Sequence, residues 1–177
     1  PLFGGRPGAE AIEAAEGNEI TALEGGRVLV LARESFGFGA KARNRDKPIV
    51  FKQVLSATLA GATNLAGTKY ERKAKPIAGD GGLQEGIEPV RLVPFVDIAD
   101  EDELSRVGLS ARRATRERAL LSAKWESMVL SPPLDPKRPR ERVLFIGNDN
   151  DFRTRSGFMP EGRYDGEVEH DNLVLAY

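Results

Sequence analysis

The sequence predicts an all-β fold, an antiparallel sandwich, barrel or propeller with long loops and one or two short helices. Three observations lead there. Apolar, β-rich runs are short; turn signals between them are dense, with 19 Gly and 11 Pro in 177 residues; and strands do not alternate with long helices as a parallel sheet would require. No internal period is clean enough to count repeating units. The length suffices to bury a proper core as one domain or a substantial part of a larger one.

Residues 1–18, rich in Ala, Glu and Gly, read as a loop or flexible N-terminal segment with room for a short helix over AEAIEAAE. From Glu19 the pattern changes. EITAL and RVLVLAR are two β-rich runs separated by EGG, the spacing of a hairpin with a Gly-containing turn. A polar, Gly-containing stretch, ESFGFGAKARNRDKP, leads to a third strand, IVFKQVLSATL. AGATNLAGTKYERKAKPIAGDGGLQEG reads as a long loop. IEPVRLVPFVDI is another strand, and Pro94 within it predicts a bulge or a sheet edge, because proline cannot donate to a ladder. In ADEDELSRVGL, Asp100 can cap a short helix that carries acids in its first turn and ends at Gly108. RRATRERALLSA forms a brief helix or a basic loop. KWESMVLSPPL and RVLFIGNDNDF are two strands joined by a Pro-rich basic connection, and DNLVLAY closes the chain as a final strand.

Composition narrows the function classes. The net charge of −1 gives no global field to recruit nucleic acid or an anionic surface. Charge is uneven, however: residues 106–142 hold ten Lys and Arg against four acids, and residues 143–177 hold three Arg against seven acids. Such a boundary arises from two solvated faces, or from a basic face for an anionic substrate beside an acidic one for cations. Cysteine is absent, which excludes disulfides and thiolate metal sites within the chain. No stretch approaches the ~20 apolar residues of a membrane span. The start, on Pro1 rather than Met, lacks the basic and apolar regions of a signal peptide, as a processed chain or a fragment would.

Four stretches could carry chemistry. In GNDNDF, Asn148, Asp149, Asn150 and Asp151 follow an apolar strand and offer oxygen ligands for a hard cation, or a tight turn in which Asn and Asp cap their own backbone. In KWESMVL, strict alternation puts Glu126 on one face with Met128 and Leu130, where a carboxylate needs a partner, a metal or a pocket mouth, unless the strand begins at the surface. GATNLAGTKY places Thr63, Asn64 and Thr68 among glycines, and LQEGIEPV offers Glu85 and Glu88. His170 is the single histidine, so a multi-histidine metal centre is excluded within the chain, a triad would have to use that one residue, and a histidine-dependent mechanism is disfavoured. No Gly-rich phosphate loop occurs.

Taken together, TNLAGTKY, GLQEGIEPV, AKWESMVLSP and LFIGNDNDF, in this order, resemble the phytase-like domain family, also described as having esterase-like activity of phytase. EITALEGGRVLVLARESFGFG is similar to the same family's strand pair, so the likeness runs from about Glu19 to the end. The resemblance implies that 19–177 is the later portion of a secreted or periplasmic β-propeller. It further implies a hydrolase of phosphate or related esters, with a small-molecule substrate and calcium as cofactor. On that likeness Glu126, Asp149 and Asp151 become catalytic groups and cation ligands, while Lys124, Asn148, Asn150 and Asn64 contact substrate. The alternative is a non-catalytic β-propeller that binds a ligand or protein through its loops.

Overall fold

The computed structural model describes residues 16–44, 47–72, 75–79, 82–112, 119–153, 155–165 and 169–177. Within them the fold is mostly antiparallel β-sheet, as the short runs and dense turns predict. Strands β1 (Glu16–Leu23), β2 (Arg27–Arg33), β3 (Lys52–Thr58) and β6 (Arg91–Asp97) form one four-stranded sheet in the order β1-β2-β3-β6. Strands β7 (Trp125–Leu130), β8 (Leu144–Asn148) and β11 (Val174–Ala176) form a second, in the order β11-β8-β7. Two small hairpins complete the β structure, β4 (Ala78–Gly79) with β5 (Gly82–Leu83), and β9 (Ser156–Met159) with β10 (Gly162–Asp165).

The expected loop over 1–18 lies outside the described residues as far as residue 15, as does most of the proposed AEAIEAAE helix. Glu16–Asn18 are already part of β1. A register shift between Gly17 and Glu19 lets the strand continue, so that Glu16 pairs with Arg33 and Gly17 with Ala32. The EGG turn forms as predicted, with Gly25 and Gly26 both at positive φ. Pro94 does both things its presence suggested: β6 closes one side of its sheet, and the register slips opposite it, between Val54 and Leu55. Asp100 caps α2 (Glu101–Arg106), its carboxylate accepting from the backbone N–H groups of Asp102 and Glu103 at 2.9 and 3.1 Å. Helix α1 (Lys69–Arg72) and the β4–β5 hairpin interrupt what reads in sequence as one long loop. Of the basic stretch RRATRERALLSA, residues 113–118 lie outside the described set, and Leu120 bridges Ser110.

The two large sheets meet where β1 and β2 come close to β7, and Thr21 Oγ1 of β1 donates to the carbonyl of Met128 at 3.4 Å. Leu29, Leu31 and Val54 of the first sheet bury against Trp125, Met128 and Ile146 of the second. Strand β2 is apolar on both faces, so it supplies Ala32 to a second small cluster with Phe51 and Leu55. Among the described residues no helix is long and apolar enough to cross a membrane.

Strict alternation fails at Glu126. Trp125 pairs with Asn148 but Ser127 pairs with Gly147, a bulge that leaves Glu126 as the extra residue. The phase therefore shifts. Trp125 and Met128 are both buried, and Glu126 does not share a continuous face with Met128 and Leu130 as expected.

Candidate functional site

The site lies where the start of β7, the end of β8, the end of β2 and the segment 169–173 meet. Strand β8 ends in a tight turn of the kind its Asn and Asp residues allow. The Asp149 carboxylate accepts from Asp151 N at 2.8 Å, the Asn150 carbonyl oxygen from Phe152 N at 3.0 Å, and Asp151 and Phe152 both adopt left-handed backbone, φ 52° and 56°. Two consecutive non-glycine residues in that region are uncommon, and the side-chain hydrogen bonds hold them there. The turn is anchored to β7 by Asp149 N donating to Lys124 O at 2.9 Å. At Gly147, just before it, a Cβ would lie 2.5 Å from Ser127 Oγ, so a larger residue there would make the serine hydroxyl turn away.

This turn brings three of the predicted residues into contact. Lys124 Nζ lies 2.5 Å from Asp151 Oδ1 and 3.7 Å from Asp149 Oδ2, all three side chains being partly open to solvent. The bond from Asp151 leads in raising the Lys124 pKa, partly opposed by burial; the charges of Glu126, Asp151 and Asp149 add to it. Glu126 thus acts on the cluster through its field. Its carboxylate is committed elsewhere, to the guanidinium of Arg33 at the end of β2. Arg33 is almost fully buried, so this ion pair neutralises a cation that would otherwise sit uncompensated between the sheets.

The next residue, Glu34, belongs to a second pair. Lys52 and Glu34 are wholly buried, Nζ and Oε1 being 3.4 Å apart. Lys52 Nζ also donates to the carbonyls of Glu34 and Ala123 at 3.0 and 2.9 Å, and the other Glu34 oxygen accepts from Phe51 N. Burial pushes the lysine down to about 8, with the Glu34 charge pulling the other way. Burial likewise raises the Glu34 carboxyl, against the pull of Lys52. The pair ties β2 and β3 to the strand leading into β7.

Asn148 and Asn150 face inward. Asn150 donates to the carbonyl of His170 at 2.9 Å and is nearly buried. Asn148 Nδ2 donates to Ser122 Oγ at 3.1 Å and to Asp171 O at 3.2 Å, and its oxygen accepts from Leu173 N. Both amides are therefore stitches to the C-terminal segment. Asn64 takes no part in this network; its side chain accepts from Ala66 N within its own loop.

Three residues at the site, Ser122, His170 and Arg33, have no place among the seven predicted ones. Ser122 Oγ lies 3.0 Å from His170 Nε2, and both side chains are buried. Phe38 meets the imidazole edge-on at a centroid distance of 4.9 Å. A cavity of about 60 Å³ opens beside them, bordered by Glu169, Asp171 and Leu173 as well. The sole histidine was a visible signal in the sequence, but nothing there linked it to Ser122, 48 positions away. Arg33 was equally hidden, as the last residue of an apolar strand.

The donor set for calcium is incomplete as placed. Among the described residues no three His, Asp, Glu or Cys side chains group to hold a metal. Asp149 and Asp151 converge on the Lys124 ammonium, Glu126 is held by Arg33, and both Asn side-chain oxygens accept backbone N–H groups. A calcium ion wants six to eight oxygens. No protein-family model, curated protein or solved structure matches the chain.

Proposed function

We propose that the chain is part of a phytase-like β-propeller from outside the cytoplasm and that it hydrolyses phosphate or related esters at the head of β7 and β8. What supports the propeller reading is the four-stranded antiparallel sheet β1-β2-β3-β6, since a propeller blade is a sheet of four antiparallel strands. The observation that carries the hydrolase reading is the contact of Lys124 with Asp149 and Asp151 on a strained turn. In this reading Lys124 binds the anionic oxygen of the substrate, and the two carboxylates set its position and manage protons. No step runs through calcium, which could enter only by displacing the Lys124 ammonium from the two carboxylates.

The test is turnover of p-nitrophenyl phosphate and p-nitrophenyl acetate by the purified chain. Asp151→Asn keeps the shape of the side chain and one acceptor oxygen but removes its charge; it is expected to lower turnover by about 10²-fold or more. Unchanged turnover in a folded Asp151→Asn variant contradicts the reading. Melting in calcium and in EDTA reads the cation separately, since a bound ion stabilises by RT ln(1 + [L]/Kd).

The second reading, a non-catalytic module that binds a ligand or protein, draws on a different observation. Glu126, Lys124, Asp149 and Asp151 already neutralise one another or Arg33. A folded protein without turnover of either ester favours it.

A further inference from the structure

We propose that Ser122 and His170 are the nucleophile and general base of a carboxylic-ester hydrolase site, with the short acyl group of the substrate held in the cavity beside them. The proposal rests on the hydrolase reading above and narrows it to one substrate class. Ser122 Oγ lies 3.0 Å from His170 Nε2, and Asn148 Nδ2 reaches both atoms, at 3.1 and 3.3 Å, so that Nε2 is the acceptor for the hydroxyl as well as for the amide. That is the hydrogen bond a serine needs to its base. The imidazole proton then belongs on Nδ1, which is buried and finds no hydrogen-bond partner among the described residues. The pair is thus a dyad. The Asp171 carboxylate borders the same cavity without bonding the ring, and with those of Asp151 and Asp149 it acts on the imidazole as a charge alone. Burial, with the nearby Arg153 charge, lowers the His170 pKa, keeping the ring neutral and able to accept a proton at pH 7.

In the step that follows, Oγ bonds to the acyl carbon of the ester while its proton passes to Nε2. Collapse of the adduct breaks the acyl–oxygen bond, and the alcohol leaves with the proton from Nε2. Water then attacks the acyl-serine, giving its proton to Nε2; the carboxylic acid leaves and the serine is restored with that proton. The Asn148 amide, 3.1 Å from Oγ, is a side-chain donor within reach of the reacting centre. A cavity of about 60 Å³ admits more than one water and so suits a short acyl chain.

The chain has no cysteine, so Ser122→Cys introduces a single thiol that reports both access and activation. At pH 7 this thiol is expected to react with iodoacetamide about 10-fold faster or more than in the Ser122→Cys, His170→Gln double variant, because a neighbouring imidazole favours the thiolate. No reaction in the folded variant, or a rate indifferent to His170, overturns the proposal. In the unaltered protein a fluorophosphonate is expected to label Ser122, and Ser122→Ala is expected to lose p-nitrophenyl acetate turnover. Turnover that persists in a folded Ser122→Ala variant overturns the dyad and leaves the Lys124 reading standing. Absence of turnover of both esters overturns both readings, whether or not Ser122 is labelled, since a labelled serine that releases no product is not a hydrolase.

Discussion

At the scale of single residues, buried charge sets the expected behaviour. Glu126→Ala leaves the Arg33 guanidinium, only 3% exposed, without its carboxylate. Because Glu126 itself is 30% exposed, the expected loss in urea unfolding exceeds the ~0.2–1 kcal/mol of a surface pair but falls short of the ~3–5 kcal/mol of a fully buried one. Glu103→Ala, at the solvent-exposed Arg106 pair, serves as the control and is expected to cost less than about 1 kcal/mol. Buried titratable groups make stability pH-dependent, Lys52 and His170 among them. Lys52 falls from 10.5 in the unfolded chain to about 8 in the fold, so between these values the unfolded chain holds more protons, and this lysine's contribution to stability rises with pH across the window. Replacing Lys52 with Met should flatten that rise in the urea midpoint. His170 is lowered below 6.5, so its contribution is present above that value and is lost as pH falls through its folded pKa; His170→Gln should remove the acid slope. The residue types at the turn were legible: Asn148, Asp149 and Asp151 mark a place where a strand must stop. Their partners were not, because Arg33, Ser122 and His170 reach them only through the meeting of the sheets, which leaves no local pattern.

At the scale of elements, local rules predicted most of what forms. The hairpin of β1 and β2, the edge position and bulge at Pro94, and the Asp100 cap each follow from a short-range signal. Asp100→Ala is expected to cost about 1 kcal/mol in thermal or urea unfolding, the usual worth of an N-cap. The junction before β7 is less tolerant. Gly37 has φ 120°, and a Cβ there would stand 2.4 Å from the carbonyl oxygen of Leu121, so Gly37→Ala must distort the backbone that carries Ser122. The expected result is a loss of more than about 2 kcal/mol, above the usual range for surface changes. What local rules missed was the bulge at Glu126. Periodicity assumes one residue per partner, and the shift between Trp125 and Ser127 is decided by the need to bury both Trp125 and Met128 against the first sheet. The β9–β10 hairpin was hidden for a related reason: its strands are four residues each, too short to show a period beside the polar residues around them.

At the scale of the molecule, an all-β arrangement was legible because its signals are repeated along the chain, whereas the pairing of distant strands was not. Strand β6 ends its sheet and presents Val93 and Phe95, 41% and 57% exposed. Such an edge invites further pairing, so the chain should self-associate with rising concentration in light scattering, and Phe95→Lys should reduce the effect. The low net charge, −1, does little to oppose it. The small set of charges at the head of β7 and β8 is where the whole arrangement becomes chemistry, since it joins both sheets and the C-terminal segment in one network. The most direct test of that claim is turnover of p-nitrophenyl phosphate and p-nitrophenyl acetate by the purified chain and by Asp151→Asn, with matched melting curves. The expected result is hydrolysis that falls by about 10²-fold or more when the Asp151 charge is removed. Equal turnover in the two proteins, or none in either, contradicts it.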